Sequence, residues 1–237
     1  KPAEPGSRQT RDFSGLAFTY TKGRSGMDSF AVGGDLRTAG GRGDIRGSAL
    51  TAYRTHIART GAYSDFTLRY STFKNDFKYD GAEGSAKSYG IQAGAEYGYR
   101  LENAEGFFVT PNAQLTLGRL YNRAFDTSAG VHVAPGHLNS AVLRLGIDAG
   151  RRLTDSSQIY AKVSYNKEFG DKTAAMFSQD GAAAFLCGGS NSTWWEYGLG
   201  VDYKVGHASH LYMDIERASG SNFQKNPSWR IGARFDF

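Results

Sequence analysis

Side chains able to do covalent or metal chemistry are few and scattered. Five histidines stand at His56, His132, His137, His207 and His210, with no HxxxH or HExxH spacing among them. A zinc site of that kind needs two imidazoles on one helical face. The single cysteine, Cys187 in Leu186-Cys187-Gly188-Gly189, excludes an intrachain disulfide and any centre built on several thiolates. A nucleophilic hydrolase needs Ser or Cys, a base and an orienting group converging at one place. Here His132, His137 and Cys187 fall in long connections and His207 and His210 at a short one, where an imidazole is ordinarily just solvated. The sequence therefore predicts no enzyme, no metal and no cofactor. A different chemistry is abundant: acids and bases at alternate positions with glycines between them. They are Glu96 and Arg100, Arg144 and Asp148, Glu196 and Asp202, Asp214 and Glu216, and Arg230 and Arg234, joined by Arg69, Gln92 and Lys162. Alternation places such residues on one face of an extended chain. There they can pair with one another or present a wetted wall.

The elements that carry them are strands. Period-2 alternation marks ten segments, approximately 15–21, 45–57, 62–73, 88–101, 107–118, 141–151, 159–169, 195–204, 210–216 and 229–237. The fourth alternates without interruption: Tyr89, Ile91, Ala93, Ala95, Tyr97 and Tyr99 against Ser88, Gly90, Gln92, Gly94, Glu96, Gly98 and Arg100. Several segments approach the roughly 9 to 11 residues that cross a bilayer at a tilt. Ordinary strands have about 5 or 6. The connections alternate long and short. Lys22–Asp44, Lys74–Lys87, Leu120–Ser140, Gly170–Trp194 and Arg217–Ser228 read as long, with Ala58–Gly61, Glu102–Gly106, Arg152–Gln158 and Val205–Ser209 as short turns. An antiparallel meander with its loops sorted to two ends is the pattern of an outer-membrane barrel.

Composition agrees. Of 237 residues, 31 are glycine and 14 tyrosine. The longest apolar run, Gly181–Leu186, falls far short of the ~18 to 20 residues of a spanning helix. The net charge of +5 is mild, and the one basic enrichment, Arg37–Arg46, is glycine-rich and reads as a loop, so nucleic acid is not an expected partner. The N-terminus lacks an apolar h-region, so the chain reads as a processed product or a piece of a longer protein. Lys1–Ser14 reads as a polar N-terminal segment, and 15–237 as the barrel. If the alternating apolar face meets lipid, the charged face lines a pore. Aromatics near the ends of the alternating segments then form girdles at headgroup level: Tyr89, Tyr97, Tyr99, Tyr165, Trp195, Tyr203 and Trp229.

The last strand, Arg230-Ile231-Gly232-Ala233-Arg234-Phe235-Asp236-Phe237, resembles the assembly signal of outer-membrane barrels through Gly232, Phe235 and Phe237. From about Leu16 to Phe237 the chain is similar to the C-terminal translocator domains of autotransporters, the barrels of type V secretion. Its most specific stretches are Gly106–Leu115, Tyr160–Val163, Glu196–Gly200 and Leu211–Ala218. The resemblance implies an all-β, antiparallel transmembrane barrel of twelve strands, with a helix threading its pore. Ten strands are legible here, so the family's first two strands and its linker helix are expected to be absent from this chain. It further implies an anchor in the outer membrane of a Gram-negative bacterium that exports an upstream passenger and keeps its long loops outside. The implied partners are outer-membrane lipid and lipopolysaccharide, the chain's own passenger, and the barrel-assembly machinery. A porin or solute channel is the alternative, to be favoured by a constricting loop or a purely acidic or basic eyelet. A barrel protease or lipase is a third class.

Overall fold

The computed structural model describes residues 10–27, 31–32, 35–36, 41–79, 81–154, 157–188, 192–205, 209–220 and 224–235. Among these residues ten long strands carry the fold. They are β1 (Arg11–Met27), β2 (Gly41–Ile57), β3 (Ala62–Tyr79), β4 (Ala82–Tyr99), β5 (Phe107–Asn122), β6 (Leu138–Thr154), β7 (Ser157–Gly170), β8 (Thr193–Val205), β9 (Ser209–Gly220) and β10 (Gln224–Phe235). Each pairs antiparallel with the next in chain order, forming one meandering sheet that curls with its polar face inward. Among the described residues β1 and β10 are its two edges.

Alternation has the outcome expected of it, with apolar groups outside. On β5, Phe107, Val109, Leu115 and Leu117 are exposed, while Thr110 and Asn112 on the opposite face are buried. Phe18 is 73% exposed and Leu199 65%. Inside the curl the buried set is small or polar: Ala49, Ala218, Ser164 and Asn166, with Phe108 the largest. A contiguous apolar exterior of this extent is far beyond what a water-soluble monomer exposes. It is the inverted arrangement of a barrel solvated by lipid.

The strands are longer than the alternation indicated. β3 and β4 have 18 residues each, a contour of about 59 Å at roughly 3.3 Å per residue. Even tilted, that exceeds an apolar band of about 25 Å. The surplus lies mostly at the long-loop end, where the outward face turns charged. On β1 the outward series Leu16, Phe18, Tyr20 continues into Lys22 and Arg24. On β4 Tyr89 is preceded by Lys87, Ser85 and Glu83. The segments read as loops at Lys74–Lys87 and Arg217–Ser228 are therefore mostly strand, as is Gly41–Arg46 of the basic stretch. β1 begins at Arg11, inside the segment read as a polar N-terminal stretch before the barrel.

Two other features were not legible. The ladder between β4 and β5 stops after Gly98↔Asn112 and resumes at Leu101↔Val109 in the same register. Pro111 sits in the gap and has no N–H to offer, so the stretch read as one strand to Leu101 splits at Arg100. The long connections after β5 and β7 also fold together. Phe125–Asp126, His132–Pro135, Thr173–Gln179 and Ala182–Gly188 form a second, four-stranded sheet. Its hairpin turns at Asp180 and Gly181, both with positive φ, as a two-residue Asp-Gly turn requires.

Candidate functional site

The inner wall is built on glycine beside tyrosine. Tyr63 of β3 pairs in register with Gly98 of β4, Tyr160 of β7 with Gly200 of β8, Tyr212 of β9 with Gly232 of β10, and Tyr53 of β2 with Gly15 of β1. In each pair a methyl group on the glycine would collide with the ring. The ring therefore lies over the space the glycine leaves, and for Tyr63 and Tyr160 the hydroxyl reaches a carboxylate beyond. Tyr63 donates to Glu96 Oε1 at 2.6 Å. Tyr160 crosses over Gly200 and donates to Asp214 Oδ1 of β9 at 2.7 Å.

Asp214 belongs to a network spanning four strands. Lys162 Nζ of β7 lies 3.2 Å from Asp214 Oδ1 and also binds Glu216. Glu216 accepts in turn from Arg230 of β10. Between Lys162 and Glu216 stands Gly198, in register with both. A Cβ there would press on each side chain, so the glycine opens the path for the ion pair. A second cluster closes the short-turn end. Arg100 donates to Glu102 Oε2 at 3.0 Å and to Gln158 Oε1 at 2.9 Å, with its guanidinium carbon 3.6 Å from the centre of the Phe108 ring. Arg152 takes the other oxygen of Glu102 at 2.9 Å.

Of the residues expected to line the wall, the structure brings Lys162, Asp214, Glu216 and Arg230 together and gives Glu96, Arg100 and Glu196 partners of other types. Glu196 accepts from the Trp194 indole at 3.1 Å. Trp194 thus faces inward, whereas Trp195 next to it faces out and packs on Tyr165 with centroids 5.3 Å apart. Arg69 pairs in register with Gln92, and Asp148 with Lys162. Arg144 presents a buried Nε without a hydrogen-bond partner among the described residues, as Asn112 does its Oδ1. Asp202 stands on the same face, in register with Gln158. The side chains of Arg234 and Phe235, and all of Phe237, lie outside the described residues. Sequence reading missed Tyr63, Tyr160, Glu102, Arg152 and Gln158. The tyrosines look apolar in a hydropathy pattern, and Glu102 had been assigned to a turn, yet its side chain is only 5% exposed.

The outward aromatics mark the two limits of the apolar band. Tyr89 stacks on Tyr121 at 4.9 Å toward the long-loop end. Tyr97 and Tyr99 close β4 at the other end, as Tyr203 does β8. Trp229 lies near the middle of β10, because that strand begins at Gln224 rather than at Trp229. No group of His, Cys, Asp or Glu suited to a metal occurs among the described residues.

Residues 8–216 match the family model described as Autotransporter beta-domain. The pertactin autotransporter of Bordetella bronchiseptica is 29% identical over 233 residues, covering 92% of this chain and 23% of that protein. The BrkA autotransporter of Bordetella pertussis is 26% identical over 206 residues, covering 83% of this chain and 20% of its own length. The chain thus spans about a fifth to a quarter of these relatives. Among solved structures, the β domain of Bordetella BrkA superposes with a TM-score of 0.67 at 20% identity, over 96% of this chain and 99% of that one. The transport unit of AIDA-I from Escherichia coli superposes with a TM-score of 0.77 at 15% identity, over 98% and 78%. The inverted faces, the ten-stranded meander and the match over most of the length agree: this chain belongs to the autotransporter β-domain family.

Proposed function

We propose that this chain is the outer-membrane translocator of a longer protein, exporting an upstream passenger polypeptide to the cell surface and anchoring it there. The observation that carries this reading is the inner wall. Its acids and bases are mixed and largely paired, so the wall is wet and nearly neutral locally. A uniformly acidic or basic eyelet, the mark of a selective solute channel, is not what these side chains build. Such a wall suits an extended polypeptide, whose backbone carries dipoles rather than net charge. Arg69, Gln92, Glu96, Arg100, Asp148, Lys162, Glu196, Asp202, Asp214, Glu216, Arg230 and Arg234 take the pore-lining role in this reading. Catalysis is left to other parts of such proteins.

The same reading assigns 15–237 to the barrel and puts the satellite sheet and the projecting strand ends outside the cell, against lipopolysaccharide. Tyr89, Tyr97, Tyr99, Tyr165, Trp195, Tyr203 and Trp229 serve as interfacial anchors. It also makes the barrel-assembly machinery a partner. Among the described residues β10 is a sheet edge, open to strand addition, and Gly232, Phe235 and Phe237 are the elements such a partner would read.

The test uses the whole protein in its own outer membrane. Replacing this chain's Lys162, Asp214, Glu216 and Arg230 with alanines should slow appearance of the upstream polypeptide in surface labelling while barrel insertion persists. Deleting residues 8–235 should abolish surface labelling and leave the upstream polypeptide in the periplasm. Surface labelling undiminished after that deletion would overturn the export reading.

A further inference from the structure

Adjacent arginines on β6 face opposite ways. Arg152 turns inward to Glu102. Arg151 turns outward, its guanidinium carbon 4.9 Å from the centre of the Phe107 ring. No carboxylate pairs with Arg151 among the described residues. Beside it the apolar exterior is hollow. Ala149 and Ala161 pair directly across β6 and β7, while the larger Val109 and Leu199 stand in register on either side. The depression holds about 1180 Å³ and reaches Met213 on β9. Glu102 also borders it but keeps its carboxylate inward, between Arg100 and Arg152.

We propose that this depression binds one anionic diacyl phospholipid of the leaflet at the short-turn end, with the phosphate on Arg151 and an acyl chain over Ala149 and Ala161. Charge complementarity selects the occupant. A guanidinium at the edge of an apolar band needs an anion, its planar fork matches a phosphate with two parallel hydrogen bonds, and the surrounding face supplies hydrocarbon contact only. The small side chains of the Ala149–Ala161 pair set the outer surface back beside Arg151, so one lipid can be held at a fixed place instead of exchanging with the bulk. An anionic headgroup is preferred to a zwitterionic one because the latter brings its own cation to the phosphate.

The inference rests on the outward face meeting lipid, which is measured separately. Trp195 and Trp229 both face outward. In bilayers containing phosphatidylcholine with brominated chains their fluorescence should be quenched, and absence of quenching would defeat the membrane reading itself. For the site, the whole protein is extracted from outer membranes in mild detergent and equilibrated with equal phosphatidylglycerol and phosphatidylcholine. Retained lipids are then counted by native mass spectrometry. The unaltered protein should retain one phosphatidylglycerol in preference to phosphatidylcholine. Arg151→Gln should reduce that preference about fivefold, Arg151→Lys should keep most of it, and Ala161→Phe should lower retention of both lipids. Inorganic phosphate should not displace the bound lipid. Arg119→Gln, at the opposite end of the apolar band, serves as the control. The proposal is overturned if Arg151→Gln leaves the preference unchanged, if Arg119→Gln lowers it equally, or if the retained species is a second copy of the chain. Heat-dependent gel mobility identifies any variant that fails to form its barrel, and the Lys variant then decides.

Discussion

At the scale of single residues, the glycines of the inner wall are the half of each pair that sequence showed without its meaning. Alternation placed Gly98, Gly198, Gly200 and Gly232 on the charged face. Their purpose depends on the partner strand, because only register puts a tyrosine or an ion pair over the vacancy. Gly200→Val should therefore act through Tyr160. A branched side chain under the ring forces it off the wall and strains its bond to Asp214, costing about 1 to 3 kcal/mol. In a Tyr160→Ala background the same change should cost much less, and the non-additivity can be read from urea unfolding of the four proteins in detergent. Equal costs in both backgrounds would mean that the glycine answers to its own backbone. The ion pair of Lys162 with Glu216 across Gly198 was unreadable for the same reason. All its members were legible as residues of one face, but not as neighbours.

At the scale of elements, most strand centres could be read because one face is apolar there, whereas the faces of β2 could not be assigned because Ser48 and Arg54 interrupt its outward series. The strand ends could not be read, because beyond Tyr20, Tyr70 and Tyr89 the outward face turns polar and the apolar series that marks a strand is lost while the ladder continues. Leu145, 50% exposed on β6, tests the apolar stretch. Leu145→Arg should cost about 2 to 4 kcal/mol if the residue sits at the midplane, measured by chemical unfolding in liposomes, and should be nearly neutral if water bathes that face. The projecting ends carry their own electrostatics. Asp44 is held below the ordinary carboxyl value first by a hydrogen bond from Arg24, with Arg42 adding to it. Lys74 does the same for Asp76, and Lys78 for Glu83. Carboxyls depressed in this way favour the folded ends above the unfolded value. They cease to do so as pH falls through the lower folded value. Since all three are reached by solvent the effect is small and screened by salt. Carboxyl NMR should find all three titrating below solvent-exposed Asp and Glu reference peptides, and raised salt should bring them back toward those references.

At the scale of the whole molecule, the meander makes every long-strand pairing local in sequence, and the two ends of the sheet differ in what they expose. Proteolysis of intact cells should cut near Asp180-Gly181 and spare the Asn103–Gly106 turn. The reverse pattern would invert the topology. Among the described residues the satellite sheet is the one element whose pairings skip a strand hairpin: Pro135 meets Ala175, and Val133 meets Phe177. In the sequence the whole of Gly170–Trp194 reads as loop, because Thr173–Gln179 and Ala182–Gly188 lack alternating polarity. Because the sheet joins the connection after β5 to the connection after β7, it cannot come together until β6 and β7 have doubled back on one another. That gives the molecule a clock. Loop closure over such separations comes after the short hairpins have formed, so completion of the satellite sheet dates a late moment in the chain's history. Cys187, the single thiol, sits exposed on its outermost strand. An environment-sensitive dye placed there should keep its early signal while the first hairpins gain protease resistance, then change in one step once β6 and β7 have paired. A dye that shifts together with β1 and β2 would show that the sheet forms without waiting.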